Sequence, residues 1–291
     1  MGLEKLLSIG KIIDKYYGDI TEAFSEEITK TLPEHRSYDC KIELEPDAPL
    51  YKGAIYLRSP REEKALKEYI DENLAKGFIR RSESPADYFV LFVFKKSGEL
   101  RLCMDYRKLN QWTKRNAYPI PRISAVFEAM KEAVVISKFD LKSVYNLVRI
   151  REGDEYKTAF NTKFEHFEHL VMPFRLTNTP AVFQSFVISS LNDVFSEDIG
   201  KYCQVYLDDT VVYSKTLEEH VQHVRTNLKK LIKHKLVANI SKCELHKLKI
   251  SFLGHMVSKD GVETDPEKIK AVAEWPQSEN VKQMKSFLGF C

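Results

Sequence analysis

The chain has 291 residues, of which 43% are hydrophobic and 30% are charged, and its formal net charge is +3. These proportions exclude an intrinsically disordered chain, and the small net charge does not by itself indicate nucleic-acid binding. The longest apolar run, YFVLFVF at 88–94, is too short to cross a membrane, and five scattered cysteines without a CxxC pair are typical of a reducing compartment. We therefore expect a cytoplasmic or nuclear protein with no membrane partner.

The first part of the chain predicts a lead-in, a helix and a pair of strands. Residues 1–50 mix weak helical patterns with turn-forming residues and are interpreted as an ordered lead-in or linker of undefined structure. The helix lies in SPREEKALKEYIDENLAKGFI, where Ser59 is the expected N-cap, Glu62 completes a capping box and Gly77 ends the helix. The next segment, YFVLFVFKKSGELRLCMDY, predicts two strands joined by a turn at 97–98.

The middle of the chain alternates strands and helices. VVISKFDL at 134–141 predicts a buried strand that ends at Asp140, and a meander of short strands follows it. Thr179 and Pro180 predict the start of a helix, because a capping hydroxyl before proline favours the first helical turn. The segment VYLDDTVVYS at 205–214 then predicts a hairpin.

Three further helices are predicted towards the C-terminus. Thr216 and Glu219 are expected to form a second capping box ahead of an apolar pattern at helical spacing. Asp265 precedes a proline at another helix start, and residues 281–288 form the last helical pattern. The order of strands, helices and hairpins indicates an α+β fold with an antiparallel sheet.

Two adjacent acids, Asp208 and Asp209, interrupt the apolar, β-branched hairpin segment. Burying a carboxylate is costly unless a positive charge meets it, so these residues either face water at a turn or bind a cation. If the strand that ends at Asp140 lies beside this hairpin, the three carboxylates converge at one sheet edge. Such oxygen ligands suit Mg²⁺ or Mn²⁺, and two such ions roughly 3.5–4 Å apart promote phosphoryl transfer. From these residues alone, the solvated turn and the metal site both stay open.

A series of segments in the same order resembles the reverse transcriptases of gypsy-type long-terminal-repeat retrotransposons. Together they cover nearly all of the chain from residue 39 onwards, which makes the resemblance much more specific than any single motif. The segments are LRLCMDYRKLNQWT, YPIPRI, SKFDLKSVY, VRIREGDEYKTAFNT, LVMPFRLTNTPAVFQ, YLDDTVVYSKTLEEH, FLGHMVSKDGVETDPEKI and VKQMKSFLG.

The resemblance implies a right-hand polymerase with fingers, a palm built on an antiparallel RRM/ferredoxin-like sheet, and a partial thumb. It implies an RNA-directed DNA polymerase that uses two Mg²⁺ (or Mn²⁺) ions, with RNA template, DNA primer and dNTPs as partners and the rest of a Pol polyprotein, or a virus-like particle, as its setting. The implied boundaries are a lead-in at 1–44, fingers at 45–115 and 148–178, palm at 116–147 and 179–258, and a truncated thumb at 259–291.

By motif position, the resemblance also implies roles for individual residues. The catalytic metal ligands are Asp140, Asp208 and Asp209. The residues implied to bind the incoming nucleotide are Lys95, Lys96, Arg101, Tyr145, Phe174 and Arg175, with Tyr145 excluding a ribose 2′-hydroxyl. The residues implied to contact primer and template are Tyr206, Leu207, Phe252, Leu253, Gly254 and His255.

Three residues depart from the family pattern, which has Gly at Val144, Glu165 and Arg175. Glycine is used where the backbone is closely approached or takes a positive φ, so larger residues put the site in doubt. By the resemblance, Val144 lies beside the nucleotide gate, and the Arg175 guanidinium either fills the nucleotide pocket or reaches the triphosphate. The chain also stops where family members continue, so we expect a polyprotein fragment or a decayed copy.

The departures leave two functional hypotheses, an RNA-directed DNA polymerase and a catalytically silent, decayed or domesticated fold that only binds nucleic acid. A third hypothesis, an RRM-like RNA-binding module, is disfavoured because no RNP-type aromatic motif occurs and acids at a sheet edge repel phosphate. The basic segment 225–250 has eight Lys or Arg residues and one acid, and it fits a duplex contact or a solvated helix face equally well.

Two smaller patterns have structural interpretations. His220, His223, Cys243 and His246 match no zinc-finger spacing, and we expect the first two on the polar face of a helix rather than on zinc. The aromatic residues of the first predicted strand could stack on bases, but core packing is favoured for all of them. These residues are Tyr88, Phe89, Phe92 and Phe94.

Overall fold

A computed structural model describes residues 3–25, 30–53, 58–94, 100–118, 122–142, 144–186, 200–206 and 209–290. The helices are α1 (Leu3–Tyr16), α2 (Pro60–Ala75), α3 (Arg107–Trp112), α4 (Ile123–Ala129), α5 (179–186), α6 (Leu217–Lys233), α7 (Pro266–Ala273) and α8 (Val281–Phe290), with 3-10 helices at Gly18–Phe24, Val144–Leu147 and Glu155–Thr158. The strands are β1 (Ile79–Arg81), β2 (Val90–Phe94), β3 (Leu100–Met104), β4 (Val135–Lys142), β5 (Phe160–Asn161), β6 (His166–His169), β7 (Cys203–Tyr206), β8 (Asp209–Ser214), β9 (Val237–Ala238), β10 (Glu244–Lys247), β11 (Lys249–Phe252), β12 (His255–Ser258) and β13 (Gly261–Thr264).

The central sheet has the antiparallel order β10-β4-β8-β7, and β9 pairs with the far end of β4. The β4–β8 register runs from Val135 opposite Ser214 to Asp140 opposite Asp209. The strand predicted to end at Asp140 continues to Lys142, so the predicted end was wrong by two residues. The reason is tertiary, because β9 supplies the backbone partners of the last two residues.

Two layers cover the central sheet, and alternation along β4 divides its residues between them. Phe139 and Leu141 belong to a large buried cluster that includes Val224 and Leu228 of α6. On the other face, Ile136 belongs to a smaller buried cluster. The other described members of the smaller cluster lie on α4, β8, β11 and β12 or close to them: Val126, Met130, Ala133, Val211, Tyr213, Ile250, Phe252 and Val257. Neither cluster includes Asp140 or Asp209, so polar side chains occupy this end of the second face.

The N-terminal lead-in, whose structure was undefined from the sequence, packs against α6. Ile9, Ile13 and Tyr17 follow a helical spacing and are buried in the large cluster. Arg225 of α6 donates to the Tyr16 carbonyl at 2.7 Å and forms an ion pair with Asp19 at 2.5 Å. The lead-in is therefore part of the folded core.

The helix and strands of the first part agree with the sequence prediction, with one exception. The Ser59–Glu62 capping box of α2 is present, and Gly77 follows the helix with a φ of +69°. Tyr88 is buried, but Phe94 is 67% exposed, so the predicted core position of Phe94 was wrong. Phe94 lies at the tip end of the two-stranded β2–β3 sheet, and Arg61 lies over its ring at 5.9 Å. The turn predicted at 97–98 lies outside the described residues.

The later helices begin where the sequence predicted. Residues 179–186 are helical, Thr216 accepts a hydrogen bond from the Glu219 amide at the start of α6, and Asp265 caps α7. None of the described helices is long and apolar enough to cross a lipid bilayer.

The prediction that His220 lies on a polar helix face was wrong, because His220 is fully buried between α6 and the central sheet. One ring nitrogen is hydrogen-bonded to Ser137 Oγ at 2.7 Å and the other to Ser214 Oγ at 3.0 Å. His223 shares the Ser214 hydroxyl at 2.8 Å. Within the described ranges, no group of three or more His, Cys, Asp or Glu side chains is placed to hold a metal ion.

Candidate active site at the edge of the central sheet

Asp140 and Asp209 lie directly opposite each other on neighbouring antiparallel strands. Directly opposed side chains project from the same face of a sheet and are close neighbours. Tyr206, the last residue of β7, also pairs with Asp209. The predicted residues Leu207 and Asp208 lie outside the described residues. The structure therefore brings two of the three predicted carboxylates together at one end of the sheet.

Each described carboxylate is matched by a lysine ammonium group. Lys138 Nζ lies 3.4 Å from Asp209 Oδ1. Lys242 Nζ lies 3.2 and 3.1 Å from the two carboxylate oxygens of Asp140. Neither lysine was among the candidates from the sequence, although Lys138 stands two residues before Asp140 and so shares its strand face.

Burial raises the pKa of the Asp209 carboxyl above its usual value, and the nearby Asp140 adds to this effect. The Lys138 ammonium and, more weakly, Lys242 oppose it. Two like charges held side by side in a half-buried position need positive charge close by. The donor set of carboxylate oxygens, balanced only by flexible ammonium groups, fits a hard divalent cation such as Mg²⁺ or Mn²⁺.

Beyond β4, three predicted nucleotide-binding residues lie close together. Tyr145 stands in a 3-10 helix directly after β4, and its ring centroid lies 4.9 Å from those of Phe174 and Phe183. Arg175 follows Phe174 and has a φ of 74°, a left-handed conformation that favours glycine. The Arg175 carbonyl accepts a hydrogen bond from Asn110 Nδ2 at 2.7 Å, which fixes this turn against α3.

The other two substitutions of the glycine pattern have ordinary backbone angles. Val144 and Glu165 are absent from the described non-glycine residues with positive φ. Val144 is buried, and Glu165 forms an ion pair with Arg81 at 2.5 Å. The backbone argument for glycine therefore applies to Arg175 alone among the three.

The remaining predicted nucleotide ligands are only partly described. Lys95 and Lys96 lie outside the described residues. Arg101 is in β3 and pairs with Val93 of β2, but its side chain lies outside the described part of the structure. The structure thus leaves the triphosphate-binding set as a prediction.

The predicted primer-holding residues form a tight hairpin between β11 and β12. Phe252 pairs with His255, and Leu253 and Gly254 form the turn with φ values of 51° and 75°. Two positive φ angles are typical of a type I′ turn. Phe252 is buried, and Phe127 of α4 contacts the rings of Phe252 and His255 at 6.3 and 5.1 Å. Phe252 therefore anchors the hairpin, and the exposed position is Gly254.

The basic segment 225–250 presents several of its lysines to solvent. Lys229 and Lys233 on α6 and Lys235 after it are exposed. Arg225 forms an ion pair with Asp19 of the N-terminal lead-in, and Lys242 forms an ion pair with Asp140. Lys242 therefore connects this basic segment to the candidate site.

Residues 93–257 match the family model described as reverse transcriptase (RNA-dependent DNA polymerase). The chain belongs to the reverse transcriptase family. Its sequence is 36% identical over 278 residues to the transposon Tf2-3 polyprotein of Schizosaccharomyces pombe and 35% identical to the Tf2-7 polyprotein. These alignments cover 95% of this chain but 20% of each polyprotein, so this reverse transcriptase chain spans a small part of the length of its relatives.

Solved structures show the same fold. The foamy viral protease–reverse transcriptase in complex with an RNA/DNA hybrid matches with a TM-score of 0.77 and 20% identity, over 100% of this chain and 38% of that one. The same viral protein in complex with dsDNA matches with a TM-score of 0.79 and 20% identity, over 100% of this chain and 58% of that one. The family and the α+β polymerase fold expected from the sequence are confirmed by these matches.

Proposed function

We propose that this chain is an RNA-directed DNA polymerase domain of a retrotransposon polyprotein, which extends a DNA primer on an RNA or DNA template. The observation that carries the proposal is the pairing of Asp140 with Asp209 at one end of the central sheet. Carboxylates converging from two strands are the arrangement that two-metal phosphoryl transfer requires. Family membership supports the reaction class.

In this proposal, Asp140 and Asp209, together with Asp208, hold two Mg²⁺ or Mn²⁺ ions. When bound, the ions would activate the primer 3′-hydroxyl and stabilise the leaving oxygen. The antiparallel register fixes the Cα positions of Asp140 and Asp209, so the two carboxylates need little rearrangement to share an ion. The buried cluster beneath the sheet keeps both strands in place.

Nucleotide selection is assigned to Tyr145 and its neighbours. The Tyr145 ring is held between Phe174 and Phe183, so it presents a fixed edge next to the strand that carries Asp140. A rigid ring can exclude a ribose 2′-hydroxyl by sterics alone. Arg101, Lys95 and Lys96 are assigned to the triphosphate, where positive charge stabilises charge that develops during transfer.

The proposed domain arrangement follows the sequence prediction. Fingers comprise 45–115 and 148–178, the palm comprises 116–147 and 179–258, and a partial thumb comprises 259–291. The central sheet lies within the proposed palm, and the β11–β12 hairpin within it is assigned to the primer strand. The lead-in at 1–44 packs against α6 of the proposed palm.

RNA template, DNA primer and dNTPs are the proposed partners, with the rest of a polyprotein as the setting. Structures of the foamy viral relative contain an RNA/DNA hybrid in one case and dsDNA in another, which supports both template types. We also propose an intracellular location, in the cytoplasm or nucleus. Free thiols at the described cysteines Cys40, Cys103, Cys203 and Cys243 support a reducing compartment.

Primer extension on poly(rA)·oligo(dT) with Mg²⁺ or Mn²⁺ tests the proposal. We expect the wild-type chain to extend the primer and Asp209→Asn to abolish extension while leaving binding of the hybrid intact. Asp260→Asn is the matched control, because Asp260 is an exposed aspartate in the β12–β13 turn and should leave extension unchanged. Extension by Asp209→Asn at the wild-type rate would contradict the assignment.

A catalytically silent fold is the second candidate, and the conformation of Arg175 favours it. Arg175 has a φ of 74° where the family pattern has glycine, so a side chain stands in a left-handed backbone conformation next to Phe174 of the proposed nucleotide pocket. Under this hypothesis, neither the wild-type chain nor the Arg175→Gly variant extends a primer. Hybrid binding in a gel shift would nevertheless persist and would be the same for Asp209→Asn.

A further inference from the structure

We propose that Lys138 and Lys242 are displaceable counter-cations of the carboxylate pair, so that a divalent ion binds Asp140 and Asp209 in exchange for their two ammonium groups. This inference rests on the proposed metal site and adds the residues that set its affinity.

The two ammonium groups come from different parts of the fold and pair with different carboxylates. Lys138 lies on β4 itself and contacts Asp209 across the strand pair at 3.4 Å. Lys242 comes from the connection between β9 and β10 and contacts both oxygens of Asp140. Each of the two described carboxylates therefore has its own lysine.

The backbone around Lys242 is fixed on the strand that carries Asp140. The Asn239 amide donates to the Asp140 carbonyl at 2.8 Å, and the Asn239 carbonyl accepts from the Lys242 and Cys243 amides at 2.9 and 3.0 Å. Cys243, the next residue, is fully buried. This turn holds the Lys242 Cα beside Asp140, so the fold keeps the exposed Lys242 side chain within reach of that carboxylate.

Each lysine has an alternative environment for its ammonium group when an ion displaces it from its carboxylate. The Lys242 side chain is 62% exposed, so its ammonium group can return to water. The Lys138 side chain is 20% exposed, but its Nζ also lies 3.4 Å from the Ser251 carbonyl and 5.8 Å from the Phe252 ring centre. Lys138 can therefore keep these contacts with the β11–β12 hairpin after it leaves Asp209.

The exchange has an electrostatic consequence for metal affinity. Each of the two described carboxylates is ion-paired with a lysine, so an ion that binds both Asp140 and Asp209 must break two ion pairs. Removing one ammonium group leaves a carboxylate without its counter-charge, and a cation should then bind more tightly. The more buried pair should matter more, because exposed ion pairs are weak.

Mn²⁺ binding to the full chain, measured by electron paramagnetic resonance without nucleic acid or nucleotide, tests this exchange. We expect Lys242→Met to tighten Mn²⁺ binding roughly two- to fivefold, as expected for an exposed ion pair. Lys138→Met should tighten it about tenfold, because its pair is largely shielded from water. Lys229→Met is the matched control, since Lys229 is an exposed lysine on α6 and should have no effect.

Lys242→Arg separates exchange from a general effect of charge. Arginine keeps the charge but grips a carboxylate through two parallel hydrogen bonds, so exchange predicts weaker Mn²⁺ binding than in the wild-type chain. If Lys242 acts only through its positive charge, Lys242→Arg and the wild-type chain should bind Mn²⁺ with the same affinity. If Lys138→Met does not fold, the Lys242 variants decide the question.

Two negative outcomes have different meanings. Equal Mn²⁺ affinity for wild type, Lys242→Met and Lys242→Arg, with binding still lost in Asp209→Asn, would overturn the exchange but leave the proposed function intact. Mn²⁺ binding that does not depend on Asp140 or Asp209 in any variant would overturn the metal site, and with it both proposals.

Discussion

Replacing His220 with Gln should reduce the acid sensitivity of this fold. His220 is fully buried, and each of its ring nitrogens is hydrogen-bonded to a serine hydroxyl, on Ser137 and on Ser214. Protonation of the neutral His220 ring would therefore place a positive charge away from water and close to two other histidines. Burial, together with His246 and His223, lowers the pKa of His220 from 6.5 to about 3.

The size of the effect follows from proton linkage. Above pH 6.5 the histidine is neutral in both the folded and the unfolded chain, so its contribution to stability is fully present. Below that value the unfolded chain binds a proton that the folded chain refuses, and the free energy of unfolding falls by roughly 1.4 kcal/mol for each pH unit until the folded pKa is reached. At pH 5 this one group should lower the free energy of unfolding by about 2 kcal/mol relative to pH 7.

Urea unfolding of wild type and His220→Gln at pH 7 and pH 5, followed by tryptophan fluorescence, measures the difference. Gln offers an N–H donor and a C=O acceptor to the two hydroxyls but cannot be protonated, so its loss of stability between the two pH values should be smaller by about 2 kcal/mol. His255→Gln, at a histidine of the β11–β12 hairpin outside this network, is the control and should behave as wild type. Equal losses in wild type and His220→Gln would refute the argument.

Three further outcomes are expected. Arg175→Gly should raise the unfolding free energy by about 1 kcal/mol, because glycine accepts a φ of 74° without a Cβ clash; an unchanged or lower melting temperature would contradict this. Tyr145→Ala should increase incorporation of ribonucleotides relative to deoxynucleotides in primer extension, and an unchanged ratio would contradict its assignment as the sugar gate. Arg225→Met should speed proteolysis within the N-terminal lead-in because the bonds to Tyr16 and Asp19 are lost, whereas Lys229→Met should not.

Features that depend on neighbouring residues could be predicted from the sequence. The capping box at Ser59 and Glu62, the cap at Asp265 and the pairing of β7 with β8 are each made by residues close together in the sequence. Their hydrogen bonds close small rings, so the local pattern is sufficient to specify them. The ordered family motifs added the fold class, which the matches to known proteins confirm.

Contacts between residues far apart in the sequence could be identified only from the tertiary structure. Lys242 and Asp140 are separated by 102 positions, and the hydroxyl of Tyr17 meets His246 across 229 positions. The burial of His220 likewise follows from serines that the β4–β8 pairing places beneath α6, although its position in the chain suggested a solvated helix face.

The sequence by itself determined the locally capped helices, the main strands and the acidic residues that make this chain a candidate polymerase. The tertiary structure alone decided that Asp140 stands opposite Asp209, that lysines neutralise both carboxylates and that the N-terminal lead-in joins the core. The physical reason is that an ion pair or a buried hydrogen bond depends on which side chains meet in space. No periodic pattern in a single segment specifies its partner in another.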